Sequence, residues 1–266
     1  MIHPLIKPKK VKSAPTTVVF APTENIKRLM TKAVNSGENF QARPPLSGQF
    51  SFTQRGKTGI VGPAVGSPAA VLALEPLLAS GTSRVVVVGT CGGLCPTAPK
   101  NSASLFDLVF PRGTVSEEGT SSLYGSKENT SSGPSALQLE LEAALLPLSE
   151  SSKTGVIWTT DAPYRETWEK VQHYHSMGAV AVEMEYAAIA QICKIYDAEL
   201  AAVFVVSDLL GKTWLNGMGQ AKLKEKLSSI CSLVLRLIDE DNKRGKTINK
   251  RQINSSQDKQ EIGSAN

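Results

Sequence analysis

Short β-branched runs alternate with longer stretches of helical period along this chain. Residues 16–22 (TTVVFAP) form an extended run, and a polar, helix-compatible stretch begins near Asn25. Residues 48–63 predict two strands joined at Arg55-Gly56 and ending at Gly62. Residues 67–81 (SPAAVLALEPLLASG) predict a helix opened by Ser67, with proline at its first position, and closed at Gly81. The run RVVVVGTCGG (84–93) is apolar without alternation, as in a strand buried on both faces. Residues 105–115 and 199–208 predict further strands, and residues 155–164 a strand running into a polar turn. Residues 133–148 and 220–240 predict amphipathic helices. Strands alternating with helices imply an α/β three-layer sandwich around a central mixed, largely parallel sheet. Ligands gather at the strands' carboxyl ends in such folds.

The length suits one catalytic domain over residues 16–240, preceded by a basic extension (1–15) and followed by a polar segment (241–266) without apolar periodicity, expected to be a disordered, solvated tail or a frayed helix end. The serine- and threonine-rich stretch 115–135 is long for a turn and predicts a surface excursion or lid. The net charge of +5 is concentrated at the two ends, and no aromatic residues interleave with the basic ones, so a specific nucleic-acid partner is not expected. No apolar run approaches the roughly 20 residues that span a bilayer. The basic amino terminus lacks a secretory pattern, which makes cytoplasm the expected location. The four cysteines suit reduced thiols, and neither Cys91 with Cys95 nor His173 with His175 has the companions of a metal site. No metal is expected.

Chemistry concentrates in AVEMEYAAIAQIC (181–193) and VVSDLL (205–210), where Glu183, Glu185 and Asp208 sit among apolar residues. A buried carboxylate costs several kcal/mol unless it is satisfied, so such acids are kept for a ligand, for chemistry or for a helix cap. Glu183 and Glu185 point opposite ways in a helix and the same way in a strand, which predicts different tasks for them. Gly89, Thr90 and Gly92 in GTCGG allow close backbone approach to an anion, or a tight turn. Tyr164 could stack on a flat ligand or plug the core.

Taken in order, GxxxGSP, VVVVGTCGG, TTDAPYRE, AVEMEYAAIA and VVSD resemble the nucleoside phosphorylase and nucleosidase family, over roughly residues 16–240. The resemblance implies cleavage of the N-glycosidic bond of a purine nucleoside, by phosphorolysis to free base and ribose 1-phosphate. Glu185 would bind the ribose hydroxyls, with Met184 packed on the sugar and Glu183 orienting its neighbours. Asp208 would protonate purine N7, and Tyr164, Cys91, Gly92 and Ser207 would line the base pocket. Thr90 and the backbone at Gly89 would hold phosphate or a nucleophilic water, and Arg43 would reach phosphate in a neighbouring subunit, with Arg28, Arg55 or Arg84 assisting. His3 would cross the same interface. Two positions depart from the phosphorylase pattern: Asn25 and Val87 stand where arginines bind phosphate. The nucleosidase alternative uses water activated by a glutamate, for which Glu24 is the candidate. A non-catalytic nucleoside-binding protein is the third reading. No cofactor beyond inorganic phosphate as co-substrate is implied, and the assembly would be a homodimer or hexamer.

Overall fold

A computed structural model describes residues 5–33, 41–46, 50–95, 103–126, 129–131 and 133–262. His3 lies outside them. The elements, in chain order, are β1 (Thr17–Phe20), α1 (Glu24–Lys32), β2 (Gln41–Leu46), β3 (Phe50–Arg55), β4 (Thr58–Val61), α2 (Ser67–Leu78), β5 (Arg84–Leu94), β6 (Leu108–Ser116), α3 (Thr120–Leu123), β7 (Asn129–Ser131), α4 (Ala136–Leu145), β8 (Ser152–Thr159), α5 (Trp168–Ser176), β9 (Ala179–Glu183), α6 (Tyr186–Ile195), β10 (Glu199–Leu210), β11 (Trp214–Asn216) and α7 (Ala221–Ile262).

The strands join one mixed sheet in the order β11-β10-β6-β8-β9-β5-β1-β4-β3-β2, with β7 on β6. Pairing through the middle is parallel, as the unbroken valine run predicts: β1 lies between β4 and β5, and β5 pairs β10 along nearly its whole length. Because β10 also pairs β6, and β9 turns back antiparallel onto β5 at Gly92 and Gly93, five strands close into a ring. Closure is not visible in an apolar pattern. It depends on β5 being long enough to pair β1 with its first half and β9 with its second.

Alternation along the buried strands sorts side chains into the two outer layers. Val18, Phe20, Val85, Val87, Ala202, Phe204 and Val206 pack in the layer that holds α2 and α6. Val19, Val86, Val88, Ala201, Val203 and Val205 pack in the layer that holds α1, α4 and α7. Each of the valine and phenylalanine side chains contributes about 1.5–3 kcal/mol when fully buried. A third cluster, around Trp158, Val171, Val182 and Leu210, seals the end of the ring under α5.

The segments flanking residues 16–240 are tied to it through residues 11, 15, 241 and 242. Val11 N donates to Ser80 Oγ at 2.7 Å, and Thr82 Oγ1 donates to Pro15 O at 2.8 Å. At the other end, α7 does not stop where the polar composition begins. Arg84 pairs with Asp241, Asn242 Nδ2 donates to Thr58 Oγ1 at 3.0 Å, and the backbone stays helical to Ile262. The 115–135 stretch likewise contains structure: the end of β6, the short α3, and β7 paired back onto β6.

The loops after β1 and β4 meet at Gly62, whose φ of 135° belongs to glycine. A Cβ there would run into the backbone oxygen of Ala21. Gly62→Ala is expected to cost about 2 kcal/mol or more, because both the torsion and the backbone contact must give. The urea midpoint of the variant against the parent measures this, and an unchanged midpoint contradicts the packing described.

Candidate active site

The Glu-Met-Glu segment spans the passage from β9 to α6, and the two acids take different jobs there. Glu183 ends β9 beside Thr159 of β8. Its Oε1 accepts from Thr159 Oγ1 at 2.6 Å, and its Oε2 accepts from the backbone N–H groups of Glu185 and Tyr186 at 2.7 Å each. Glu183 therefore satisfies the first amides of α6 and absorbs the capping role that sequence alone offered to both acids. Glu185 occupies the cap position itself, yet its side chain makes no cap bond. Its Oε1 accepts from Gly66 N at 2.6 Å instead. Both residues are 6% exposed. Burial pushes both toward the protonated form, and the charge of Glu185 adds to the push on Glu183 while its three donors oppose it.

Ser67 does not cap α2 as its sequence position suggests. Gly66 holds the cap position, and Ser67 Oγ donates to Met184 O at 3.0 Å, so the start of α2 is fastened to the acid segment. Met184 itself is half-buried. The loop before α2 also carries the end of β1 with it: Ala64 N donates to Pro22 O at 3.0 Å, and Pro22 lies against Gly89. Thr90 follows Gly89 and is the half-buried residue in an otherwise buried stretch from Val85 to Leu94.

GTCGG is strand, as the 84–93 run predicts, and of the readings its glycines allowed the tight turn is not taken. These residues lie within β5, and the glycines serve packing: a Cβ on Gly89 would come within 2.8 Å of Phe204, and one on Gly93 within 2.6 Å of Ala103. Gly92 is the most constrained. It lies between Asp208 of β10 and Val182 of β9, and a Cβ there would collide with Leu210 and stand 3.5 Å from Asp208 Oδ2.

Asp208 reaches that place through a bulge. The β10–β5 register passes from Val206↔Cys91 directly to Asp208↔Gly92, leaving Ser207 as the extra residue. Strict alternation would put Asp208 with Phe204 and Val206 under α2 and α6. The bulge moves it to the side of Leu210 and Val182. Its Oδ1 accepts from Ser207 Oγ at 2.7 Å and its Oδ2 from Trp214 Nε1 at 2.8 Å. Cys91 is buried behind this pair, its thiol pushed up first by burial and then by the charges of Asp208, Glu183 and Asp107. Two strand spacings, about 10 Å, separate the backbones of Asp208 and Val182, and Glu183 follows directly.

A cavity of about 560 Å³ opens beside Asp208, lined by Tyr164, Glu166, Trp168, Lys212 and Trp214. Glu185 is not among its lining residues. Tyr164 is neither a core plug nor a closed wall: it is 98% exposed at the rim. Glu166, Trp168 and Trp214 line this cavity and were passed over by sequence reasoning. Glu166 stood inside the quoted TTDAPYRE motif, and Trp214 is a lone tryptophan in a polar stretch six residues beyond Asp208. Thr159, the partner of Glu183, stood unremarked in the same motif.

The expected phosphate arginines do not gather at this end. Arg84 begins β5, six residues before Thr90 along the strand, and pairs with Asp241. Arg55 ends β3 and pairs with Asp239 at 2.5 Å. Arg28 is exposed and pairs with Glu24 at 3.0 Å, which turns Glu24 outward along α1 as well. Asn25 is exposed on α1, and Val87 is buried in the core. Arg43 lies on β2, the far edge of the sheet, where its terminal nitrogen donates to Lys12 O at 2.7 Å. His173 is exposed on α5 and His175 half-buried, and among the described residues no group of three or more His, Cys, Asp or Glu could hold a metal ion. No helix among those residues is long and apolar enough to cross a membrane.

Glu166 gives the site a pH signature in stability. Burial, the charge of Asp208 and that of Glu117 raise it from 4.5 to about 7, against a smaller opposing effect of Lys170. Between these two values the unfolded chain has released a proton that the folded chain keeps, so the folded state loses stability as pH rises through that window. Glu166→Gln is expected to flatten the decline, as followed by urea midpoints at pH 4.5 and pH 7. Equal declines in both proteins contradict the assignment.

The sequence profile of the phosphorylase superfamily matches residues 19–239. The chain is 30% identical over 142 residues to a guanosine phosphorylase of Halorubrum lacusprofundi, covering 53% of this chain and 57% of that relative. It is 24% identical over 183 residues to a DeoD-type purine nucleoside phosphorylase of Caldanaerobacter subterraneus subsp. tengcongensis, covering 67% and 77%. Among solved structures, futalosine hydrolase of Helicobacter pylori superposes with a TM-score of 0.68 at 17% identity, covering 85% of this chain and 99% of that one. Purine nucleoside phosphorylase from Toxoplasma gondii superposes with a TM-score of 0.64 at 18% identity, covering 89% and 98%. At such identities the structural likeness speaks to the fold, while the profile spans most of the chain and every motif of the site: the protein belongs to the phosphorylase superfamily.

Proposed function

We propose that this protein cleaves the N-glycosidic bond of a purine nucleoside, with inorganic phosphate as the acceptor. The observation that carries the reading is the placement of Asp208 by the Ser207 bulge, on a cavity wall next to the Glu183–Glu185 segment. Departure of a base leaves positive charge on the sugar and negative charge on the base, so an anion near the sugar and a proton source near the base both lower the barrier. Glu185, released from capping and steadied by Gly66, fits the sugar role. Asp208 fits the base role, since each of its oxygens accepts one hydrogen bond and retains a second position for a proton shared with a ligand. The aromatic lining of the cavity suits a flat heterocycle.

Phosphate as the acceptor is supported by the sequence relatives, which are a guanosine phosphorylase and purine nucleoside phosphorylases. Hydrolysis is the second reading, favoured by one observation: Arg28, Arg55 and Arg84 are each engaged in an ion pair, and the latter two stand away from Thr90. In the first reading a partner copy's Arg43 supplies the cation that this chain does not bring to its own site.

Inosine, guanosine, adenosine and uridine, each supplied with and without phosphate, separate the readings by product. Ribose 1-phosphate formed only with phosphate is expected, and free ribose formed at equal rates in both conditions selects hydrolysis. Asp208→Asn is expected to slow purine release at least about tenfold, in line with the loss of a general acid. Full activity in that variant removes Asp208 from the mechanism.

A further inference from the structure

Helix α6 opens on amides that no preceding turn can satisfy, and the residue at its cap position, Glu185, makes no cap bond to them. Two other side chains meet them instead. Glu183 Oε2 accepts the N–H groups of Glu185 and Tyr186, and Thr159 Oγ1 accepts that of Ala187 at 3.1 Å. Thr159 ends β8, beside Glu183 in the parallel register. Its hydroxyl has a single hydrogen, which goes to Glu183 Oε1 at 2.6 Å. One threonine thus aims the carboxyl that covers the first two amides and covers the third itself. It is 0% exposed and does not line the cavity beside Asp208, so any influence it has on a ligand passes through its neighbours.

We infer that Thr159 is a positioning residue for Glu185: with Glu183 it caps α6 from the side, and so leaves the Glu185 carboxyl free to face the sugar. The sugar contact rests on the proposed nucleoside cleavage. Without the Thr159 hydroxyl, Ala187 N–H loses its acceptor and Glu183 loses the donor that steers it. The positive end of the helix then draws the nearest remaining carboxyl, and Glu185 already stands at the cap position. Only the bond from Gly66 N opposes that pull. Turned back onto its own helix, Glu185 no longer meets the ribose hydroxyls.

The test is kcat/KM for inosine with phosphate present, in the parent, Thr159→Val, Thr159→Ser and Glu185→Gln, and in Thr159→Val combined with Glu185→Gln. Thr159→Val removes the hydroxyl at nearly constant volume and is expected to lower kcat/KM at least about tenfold, as displaced positioning groups do. Thr159→Ser keeps the hydroxyl and is expected to stay within about threefold of the parent. In the Glu185→Gln background, Thr159→Val is expected to cost no more than about twofold further, because the group it acts through is already changed. Parental activity in Thr159→Val, a serine variant as slow as the valine one, or an equal loss in both backgrounds overturns the assignment. Should Thr159→Val not fold, Glu183→Gln withdraws the acceptor of the hydroxyl and carries the same comparison between backgrounds. If the parent does not cleave inosine, the cleavage reading fails by itself, and a crystal structure of Thr159→Val decides the placement of Glu185. A carboxyl moved from Gly66 N onto the amides of α6 supports the role of Thr159, and an unmoved one overturns it.

Discussion

The register of β10 against β5 is the constraint on which the site depends. One extra residue, Ser207, turns Asp208 out of the layer beneath α2 and α6 and onto the side of the sheet shared with Val182 and Leu210. Gly92 makes the move possible, since a side chain there would collide with Leu210 and crowd Val182 and Asp208. A bulge that re-aims one side chain without breaking the ladder is a common device beside active sites. Here it operates where the sheet closes on itself, so the strand that carries the acid and the strand that leads into the Glu-Met-Glu segment share β5 as their neighbour.

Buried acids in this molecule are divided by what satisfies them. Glu183 is saturated by a hydroxyl and two amides, and it turns a strand end into a helix start. Each such hydrogen bond contributes about 0.5–1.5 kcal/mol, and three together hold the segment around Glu185. Glu185 and Asp208 are less completely paired, and Glu166 is unpaired among the described residues. On the proposed reading, the gradient runs from structural to ligand-facing roles. It explains how carboxyls with different duties coexist within a few strand spacings.

Much of this was legible in the sequence. The continuous run of Val85–Val88 announced a strand buried on both faces, and Glu183, Glu185 and Asp208 stood out because acids rarely interrupt such runs. Their ordered company with TTDAPYRE and GTCGG pointed to the superfamily that the profile matches. What escaped were features set by pairing and not by local pattern. Ring closure and the bulge at Ser207 both depend on which strand lies alongside. The glycines of GTCGG, open in the sequence to anion approach or a turn, answer to Phe204, Ala103 and Leu210 on neighbouring elements. The helix through Asp241 was hidden for a related reason, since its hold comes from Arg84 and Thr58, far away in the chain.

The central claim is that one ligand touches both Glu185 and Asp208, although the cavity beside Asp208 does not itself include Glu185. A crystal structure with a bound purine nucleoside analogue tests this most directly. The account predicts a single molecule whose ribose hydroxyls lie within hydrogen-bond distance of Glu185 and whose base lies within the same reach of Asp208. An analogue seated against only one of the two acids, with the other facing solvent or a separate ligand, contradicts it.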